Sequence, residues 1–165
     1  MIVTTDRLNI RPFRLTDSPF IVELLNTPGW LQFIGDRGIK TLADAENYLL
    51  NGPMKGQTEN GFSLYMVEIK ETNTPIGMCG LIKRDSLEHI DLGFAFLPEY
   101  TGKGYAFEAA EACLKQAKEL GHNRVLAITL PTNTSSITLL SKLGFEYEKP
   151  LVMENETLSV YGINL

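Results

Sequence analysis

The chain has 165 residues, 44% of them hydrophobic, and a formal net charge of −5. We expect residues 1–165 to form one globular domain, because this length can bury a sizeable core. The chain lacks the dense Lys/Arg block of nucleic-acid-binding proteins and any apolar run of membrane-spanning length. The segment "MIVTTDRLNIRPF" also lacks the basic start and long apolar stretch of a secretory signal. The sequence therefore predicts a cytoplasmic protein with neither a nucleic-acid nor a membrane partner.

The first half of the chain predicts a strand, two helices and an antiparallel meander. "RLNIRPF" alternates at the period of a strand, and an apolar helical pattern follows Thr16 as far as Leu25. In "TLADAENYLL", Thr41 is a good N-cap for a second helix. Three strand-like runs then follow with hairpin spacing, "FSLYMVEI", "PIGMCGLIK" and "HIDLGFAFL".

The second half alternates helices with strands. We expect a helix over 106–120, a strand over 124–130, a helix over 135–143, and a final strand pair around 145–148 and 158–163. Cys79 and Cys113 lie in apolar segments, which fits reduced core thiols better than a disulfide. His89 and His122 lie far from any ligand-spaced Cys or acidic cluster, so we predict no metal site.

The stretch "LPEYTGKGYAFEAA" runs from a strand through two glycines into a helix. A helix N-terminus presents unpaired backbone N–H groups and the positive end of its dipole, which together favour an anion. We expect Gly102, Lys103, Gly104, Tyr105 and Ala106 to direct N–H groups at a phosphate. A Walker loop would need Ser or Thr after the Lys, and a dinucleotide-binding loop would need a third Gly. The stretch meets neither requirement. A simple tight turn remains an alternative for this stretch taken alone.

Three ordered segments resemble the GNAT superfamily of N-acetyltransferases. They are "TTDRLNIRPFRLTD", "IDLGFAFLPEYTGKGYAFEA" and "NTSSITLLSKLGF", and together they span nearly the whole chain. The likeness is to the RimJ/RimL-type branch of ribosomal-protein N-terminal acetyltransferases. It implies a mixed α/β fold with a mostly antiparallel, splayed central sheet flanked by helices, and acetyl-CoA as co-substrate.

The resemblance also implies where acetyl-CoA binds. Its pantetheine arm would lie along the edge of the strand that carries Phe94, Ala95, Phe96 and Leu97, and its pyrophosphate on the glycine loop. The implied cofactor site is completed by three residues outside these groups, Thr101, Asn133 and Ser136. Thr101 departs from the family pattern, in which a Trp or a longer polar residue precedes the glycine pair.

The reaction requires a neutral amine, a stabilised oxyanion and a proton for the departing thiolate. Asp91 matches a strand carboxylate that similar enzymes place toward the acceptor, where it would accept the amine's proton through water; a solvated acidic side chain is the alternative. Many family members carry a Tyr as the acid where this chain has Leu140. The remaining hydroxyl is Ser136, which would hydrogen-bond the sulfur; helix capping with Asn133 is its alternative role.

The resemblance implies acetyl transfer to a primary amine, possibly a protein or peptide N-terminus. Small-molecule amines such as polyamines or antibiotics remain open, as does a non-catalytic acyl-CoA-binding module, which the Leu at position 140 would fit. The expected partners are acetyl-CoA and the amine acceptor. The sequence leaves the choice between a monomer and a homodimer open.

Overall fold

The structure is a computed structural model that describes residues 3–165. Its eight strands are β1 (Val3–Thr4), β2 (Leu8–Pro12), β3 (Leu64–Ile69), β4 (Thr74–Ile82), β5 (Asp91–Phe96), β6 (Arg124–Thr129), β7 (Glu146–Met153) and β8 (Glu156–Asn164). Its six α-helices are α1 (Ser18–Leu24), α2 (Pro28–Phe33), α3 (Leu42–Asn51), α4 (Pro53–Asn60), α5 (Tyr105–Glu119) and α6 (Thr134–Leu143). Within residues 3–165, no helix combines the length and apolarity needed to cross a membrane.

All eight strands form one sheet in the order β1-β2-β3-β4-β5-β6-β8-β7. Every neighbouring pair is antiparallel except β5 and β6, which run parallel. The β5–β6 register contains a single pair, Asp91 with Leu126, and Leu126 N–H donates to the Ile90 carbonyl at 2.9 Å. Toward their carboxyl ends the two strands separate, so the predicted splayed, mostly antiparallel sheet is confirmed.

The sheet buries a hydrophobic core on each face. Helix α5 packs on the first face through small side chains, among them Ala109, Ala110 and Ala117. Helices α1 to α3 contribute to the core on the second face, where Leu24, Trp30 and Leu49 are buried. Strand β5 lies between these cores and contributes side chains to both.

The predicted elements agree with the structure to within one or two residues at most ends. Thr41 caps α3 as expected, because its hydroxyl accepts a hydrogen bond from the backbone N–H of Asp44. The sequence did not predict the short helices α2 and α4, each of which begins at a proline. It also underestimated β7, which extends to Met153.

Cys79 on β4 and Cys113 on α5 are free and buried in the first core. Their sulfur atoms lie 3.7 Å apart, with the Cys113 thiol donating to Cys79. The prediction of reduced core thiols is therefore confirmed.

Candidate active site

Strand β5 connects two chemically different regions. It begins at Asp91, where it pairs with β6, and it ends at Phe96, where β6 has moved away. A 3-10 turn at Pro98–Tyr100 then leads through the glycine loop into α5. The candidate site therefore extends along one strand, from a buried carboxylate to an exposed helix N-terminus.

The backbone of β5 leaves polar groups unpaired toward the gap. Leu97 N–H donates to the Ile76 carbonyl of β4 at 2.9 Å. Because N–H and C=O groups alternate in direction along an antiparallel strand, Ala95 also directs its groups to β4, whereas Phe94 and Phe96 direct theirs to the opposite edge. Of the four predicted edge residues, Phe94 and Phe96 thus present backbone groups to the gap.

Side chains on β5 alternate in the same way. Phe94 and Phe96 pack against the first core, while Ala95 and Leu97 belong to the second. Asp91 is an even number of residues from Ala95 and Leu97, so its side chain lies on the second face, the side of the early helices.

The glycine loop has the backbone conformation that only glycine adopts at little cost. Gly102 and Gly104 have φ angles of +73° and +85°. A Cβ built on Gly102 would meet no atom within 4 Å, so this part of the loop is open. Gly104 is the N-cap of α5 and supplies no side-chain acceptor to the first-turn N–H groups of Tyr105 and Ala106. An open loop before uncapped donors fits a phosphate.

Arg7 connects this loop to the N-terminal segment through hydrogen bonds. Its Nη1 donates to the Lys103 carbonyl at 3.0 Å, and its Nε donates to Glu108 Oε1 in the first turn of α5 at 2.8 Å. The guanidinium also lies 4.3 Å from the centre of the Tyr105 ring. Sequence reasoning assigned no role to Arg7, because a contact between residues about a hundred positions apart has no local signal.

An unpaired negative charge on Glu108 would repel an anion bound at the N-terminus of α5. Burial raises the pKa of its carboxyl, but hydrogen bonds from Thr5 and from Arg7 outweigh burial, and the pKa is lowered overall. The Thr5 hydroxyl and the Arg7 backbone N–H both donate to Glu108 Oε2. The carboxylate is therefore ionised and directed toward the N-terminal segment.

The side chains of Thr101 and Lys103 are placed less favourably for binding a phosphate. The Thr101 hydroxyl donates to the Pro98 carbonyl at 2.8 Å and so closes the preceding turn. Lys103 is exposed, and its Nζ lies 5.8 Å from the centre of the Tyr100 ring. The loop's capacity to bind an anion thus depends mainly on its backbone.

Asp91 is 1% exposed and pairs with one cation. Arg84, in the loop between β4 and β5, donates from Nε to Asp91 Oδ1 at 3.0 Å. Burial raises the pKa of Asp91 to about 6, although Arg84 acts in the opposite direction. The predicted alternative, a solvated acidic side chain, is therefore wrong.

Helix α6 begins on the other side of the gap, after β6. Asn133 is its N-cap, and its Oδ1 accepts a hydrogen bond from Ser136 N–H at 3.3 Å, so the capping interaction is confirmed. Ser136 is half-buried and lies one turn before Leu140, which is 1% exposed. The hydrogen bond from the Ser136 hydroxyl to the CoA sulfur stays a prediction.

The family of the chain is defined by a match to the acetyltransferase (GNAT) domain over residues 7–146. This match includes the glycine loop, β5 and α6. The chain belongs to the GNAT acetyltransferase family.

Known proteins resemble the chain along most of its length. The uncharacterized N-acetyltransferase YnaD of Bacillus subtilis is 30% identical over 149 residues, covering 90% of this chain and 84% of YnaD. A GNAT-family acetyltransferase of Bacillus anthracis superposes with a TM-score of 0.82 at 27% identity, covering 99% and 98% of the two chains. The ribosomal protein uS5 alanine N-acetyltransferase of Escherichia coli is 35% identical over 68 residues, which are 41% of this chain and 35% of that protein.

Family membership makes the protein an acetyl-CoA-dependent N-acetyltransferase. The residues present fit this co-substrate. The open surface at Gly102 and the uncapped donors of α5 suit a pyrophosphate, and the unpaired edge at Phe94 and Phe96 suits the amide groups of a pantetheine arm.

Proposed function

We propose that this N-acetyltransferase acts on the α-amine of a protein or peptide N-terminus. The observation that carries the proposal is the burial of Asp91, whose pKa of about 6 makes it ionised and weakly basic at neutral pH. An α-amine has a pKa of about 7.7–8.0 and is partly neutral there, whereas a lysine-type amine, near 10.4, is almost wholly protonated. A single weak carboxylate base therefore favours the α-amine. The partial likeness to the uS5 alanine N-acetyltransferase supports the same class of acceptor.

The proposed reaction is direct attack on the thioester. The neutral amine nitrogen forms a bond to the acetyl carbonyl carbon, and the carbonyl electron pair moves onto oxygen. Asp91 takes one proton from the nitrogen through a water molecule. When the carbonyl re-forms, the carbon–sulfur bond breaks with its electron pair on sulfur, and the thiolate is protonated to free CoA. The products are an acetylated amine and a thiol.

The residues of this chain have separate roles in the proposal. Backbone N–H groups at Phe94 and Phe96 hold the pantetheine arm and the acetyl oxygen, and the glycine loop holds the pyrophosphate. Ser136 hydrogen-bonds the sulfur and assists its protonation. Asn133 keeps Ser136 in place by capping the same helix turn.

The test is a continuous thiol-release assay with acetyl-CoA at neutral pH. We expect release with short peptides that have a free N-terminus, none with the same peptides blocked at the N-terminus, and less with spermidine or lysine at equal concentration. Mass spectrometry of the product should locate the acetyl group on the α-amine. Clear preference for polyamines would contradict the proposed acceptor and leave acetyl transfer intact.

A further inference from the structure

The loop between β4 and β5 brings a cation back to the proposed base. Ile82, the last residue of β4, pairs directly with Asp91, the first residue of β5. Arg84 lies two positions after Ile82, and its carbonyl accepts a hydrogen bond from Leu87 N–H at 3.2 Å, which closes a turn. From this turn the Arg84 side chain reaches Asp91, where Nε donates to Oδ1 at 3.0 Å. The contact therefore joins the two ends of a loop whose flanking strands are already paired.

The two side chains of this ion pair lie in different environments. The Asp91 side chain is 1% exposed, whereas the Arg84 side chain is 34% exposed. The strand partners of Asp91 are both apolar, Ile82 on β4 and Leu126 on β6. A buried carboxylate needs a charged or hydrogen-bonding partner, because an ion loses its hydration on burial. Arg84 supplies that partner while its own side chain keeps contact with solvent.

The hydrogen bond distinguishes the two oxygens of the carboxylate. Oδ1 accepts from Arg84, so Oδ2 is the oxygen that this bond leaves available for a proton. A carboxylate held at one oxygen rotates less freely, and a general base acts only when it lies within reach of the proton or of one intervening water. The contact with Arg84 thus fixes the direction in which the base acts.

We propose that Arg84 is a positioning residue for acetyl transfer, which holds Asp91 through Oδ1 and directs Oδ2 toward the water that carries the amine's proton. The inference rests on the proposed function. Arg84 acts through Asp91 and touches neither the acceptor nor acetyl-CoA. Its removal should therefore impair the base and leave the affinity for acetyl-CoA unchanged.

The charge of Arg84 contributes to the same role. Burial raises the pKa of Asp91, the charge and the hydrogen bond of Arg84 both lower it, and the resulting pKa is about 6. Without Arg84 the effect of burial is unopposed, so the pKa of Asp91 should rise further, by about one unit or more. The strand partners Ile82 and Leu126 carry no charge that could replace Arg84. More of Asp91 is then protonated at pH 7 and cannot act as a base.

The experiment measures kcat/KM against pH by thiol release, with a peptide that has a free N-terminus. In Arg84→Gln, which removes the charge, the rise that the parent shows near pH 6 should move up by about one unit. We expect kcat/KM to be about tenfold lower than in the parent at pH 7 and about threefold lower at pH 8.5, where only the lost orientation remains. Arg84→Lys keeps the charge without the Nε geometry, so it should keep the rise near pH 6 and lose about threefold in kcat.

A double-mutant cycle separates positioning from a role in stability alone. If Arg84 acts through Asp91, Arg84→Gln should lower kcat/KM in the parent but have little further effect in Asp91→Asn. A residue that only stabilises the fold would lower kcat/KM equally in both backgrounds. The same cycle with Arg84→Lys, which leaves a cation beside Asp91, covers the case in which Arg84→Gln does not fold.

Lys83→Gln is the matched control, because it removes the same charge from an exposed neighbour in the same loop. It should leave both kcat/KM and its pH profile unchanged. An Arg84→Gln profile that coincides with that of the parent, or an equal loss in the Asp91→Asn background, would overturn the positioning role while the proposed function stands. An Asp91→Asn variant as active as the parent, or no turnover of any peptide, would contradict the proposed function itself.

Discussion

The two ends of β5 contribute to the proposed reaction through different parts of the polypeptide, a side chain at one end and the backbone at the other. At the beginning of the strand, the proposed base is a buried side chain, Asp91, which accepts a hydrogen bond from a second side chain, Arg84. At the other end, the proposed binding surface is the backbone of Gly102 and Gly104, and the Arg7 side chain donates to the Lys103 carbonyl between them. The first end should therefore respond to charge and pH, and the second to backbone conformation.

The largest expected effect is on the rate at the Asp91 end. Asp91→Asn keeps the shape of the side chain but cannot accept a proton, and loss of a general base typically costs 10²–10⁴-fold. We expect kcat/KM for a peptide acceptor to fall by about 100-fold or more at pH 7, while acetyl-CoA binds with nearly unchanged affinity.

The pH profile gives the control for this variant. In the parent, kcat/KM should rise as Asp91 ionises through about pH 6. Asp91→Asn should lack that limb and recover activity only at higher pH, as free amine becomes available. A variant as active as the parent at every pH would show that Asp91 is not the base.

Burial of Asp91 should also make the stability of the fold depend on pH. A carboxyl whose pKa is raised from 3.8 to about 6 binds its proton more tightly in the folded state, so its contribution to stability is present below pH 4 and is lost as pH rises through 6. A shift of this size corresponds to about 3 kcal/mol. Between pH 4 and pH 7.5, the parent should lose about that much more unfolding free energy than Asp91→Asn. Denaturant titrations give the free energy of unfolding at each pH. The same pH dependence in both proteins would contradict this prediction.

At the other end of β5, substitution of glycine should weaken binding without removing a side chain. Gly102→Ala places a methyl group in open space but at a φ of +73°, which costs an L-residue about 1–2 kcal/mol. We expect the loop to shift and the Kd for acetyl-CoA, measured by calorimetry, to rise about tenfold.

Gly121→Ala is the matched control for the loop. Gly121 lies just beyond the other end of α5, with a φ of +93° and no atom within 4 Å of an added Cβ. It should lower the free energy of unfolding by a similar amount but leave acetyl-CoA binding intact. Equal loss of affinity in both variants would mean that strain at either end of α5 weakens acetyl-CoA binding, and that the glycine loop has no specific role.

Arg7 tests whether the loop needs its attachment to the N-terminal segment. Arg7→Gln removes the side-chain hydrogen bonds to the Lys103 carbonyl and to Glu108 Oε1, and it leaves the Glu108 charge near the proposed phosphate site. We expect the Kd for acetyl-CoA to rise about fivefold and the melting temperature to fall by a few degrees. Glu108→Gln should lower the melting temperature with less effect on Kd, because it removes the negative charge as well.

Local signals predicted much of this arrangement. The two glycines, the Thr41 cap and the hairpin spacing each act within a few residues, and the structure contains all three. The separation of β5 from β6 followed only from resemblance to a family, because strand pairing joins distant parts of the chain.

Other features had no usable signal. Arg84 pairs with Asp91 only because the loop between β4 and β5 folds back. Helix α4, in "PMKGQTEN", has a central glycine and little apolar periodicity, so tertiary packing determines it.

The smallest expected effect is at Lys103, the residue between the two glycines. Its ammonium is exposed and lies beside Tyr100, and the loop is instead held through its carbonyl by Arg7. An exposed charge near a phosphate contributes about 0–1 kcal/mol and is screened by salt. Lys103→Ala should therefore raise the Kd for acetyl-CoA by less than about threefold, with the difference disappearing at high ionic strength. A tenfold loss that persists in salt would show that this end of β5 also binds through a side chain, and the contrast with Asp91 would fail.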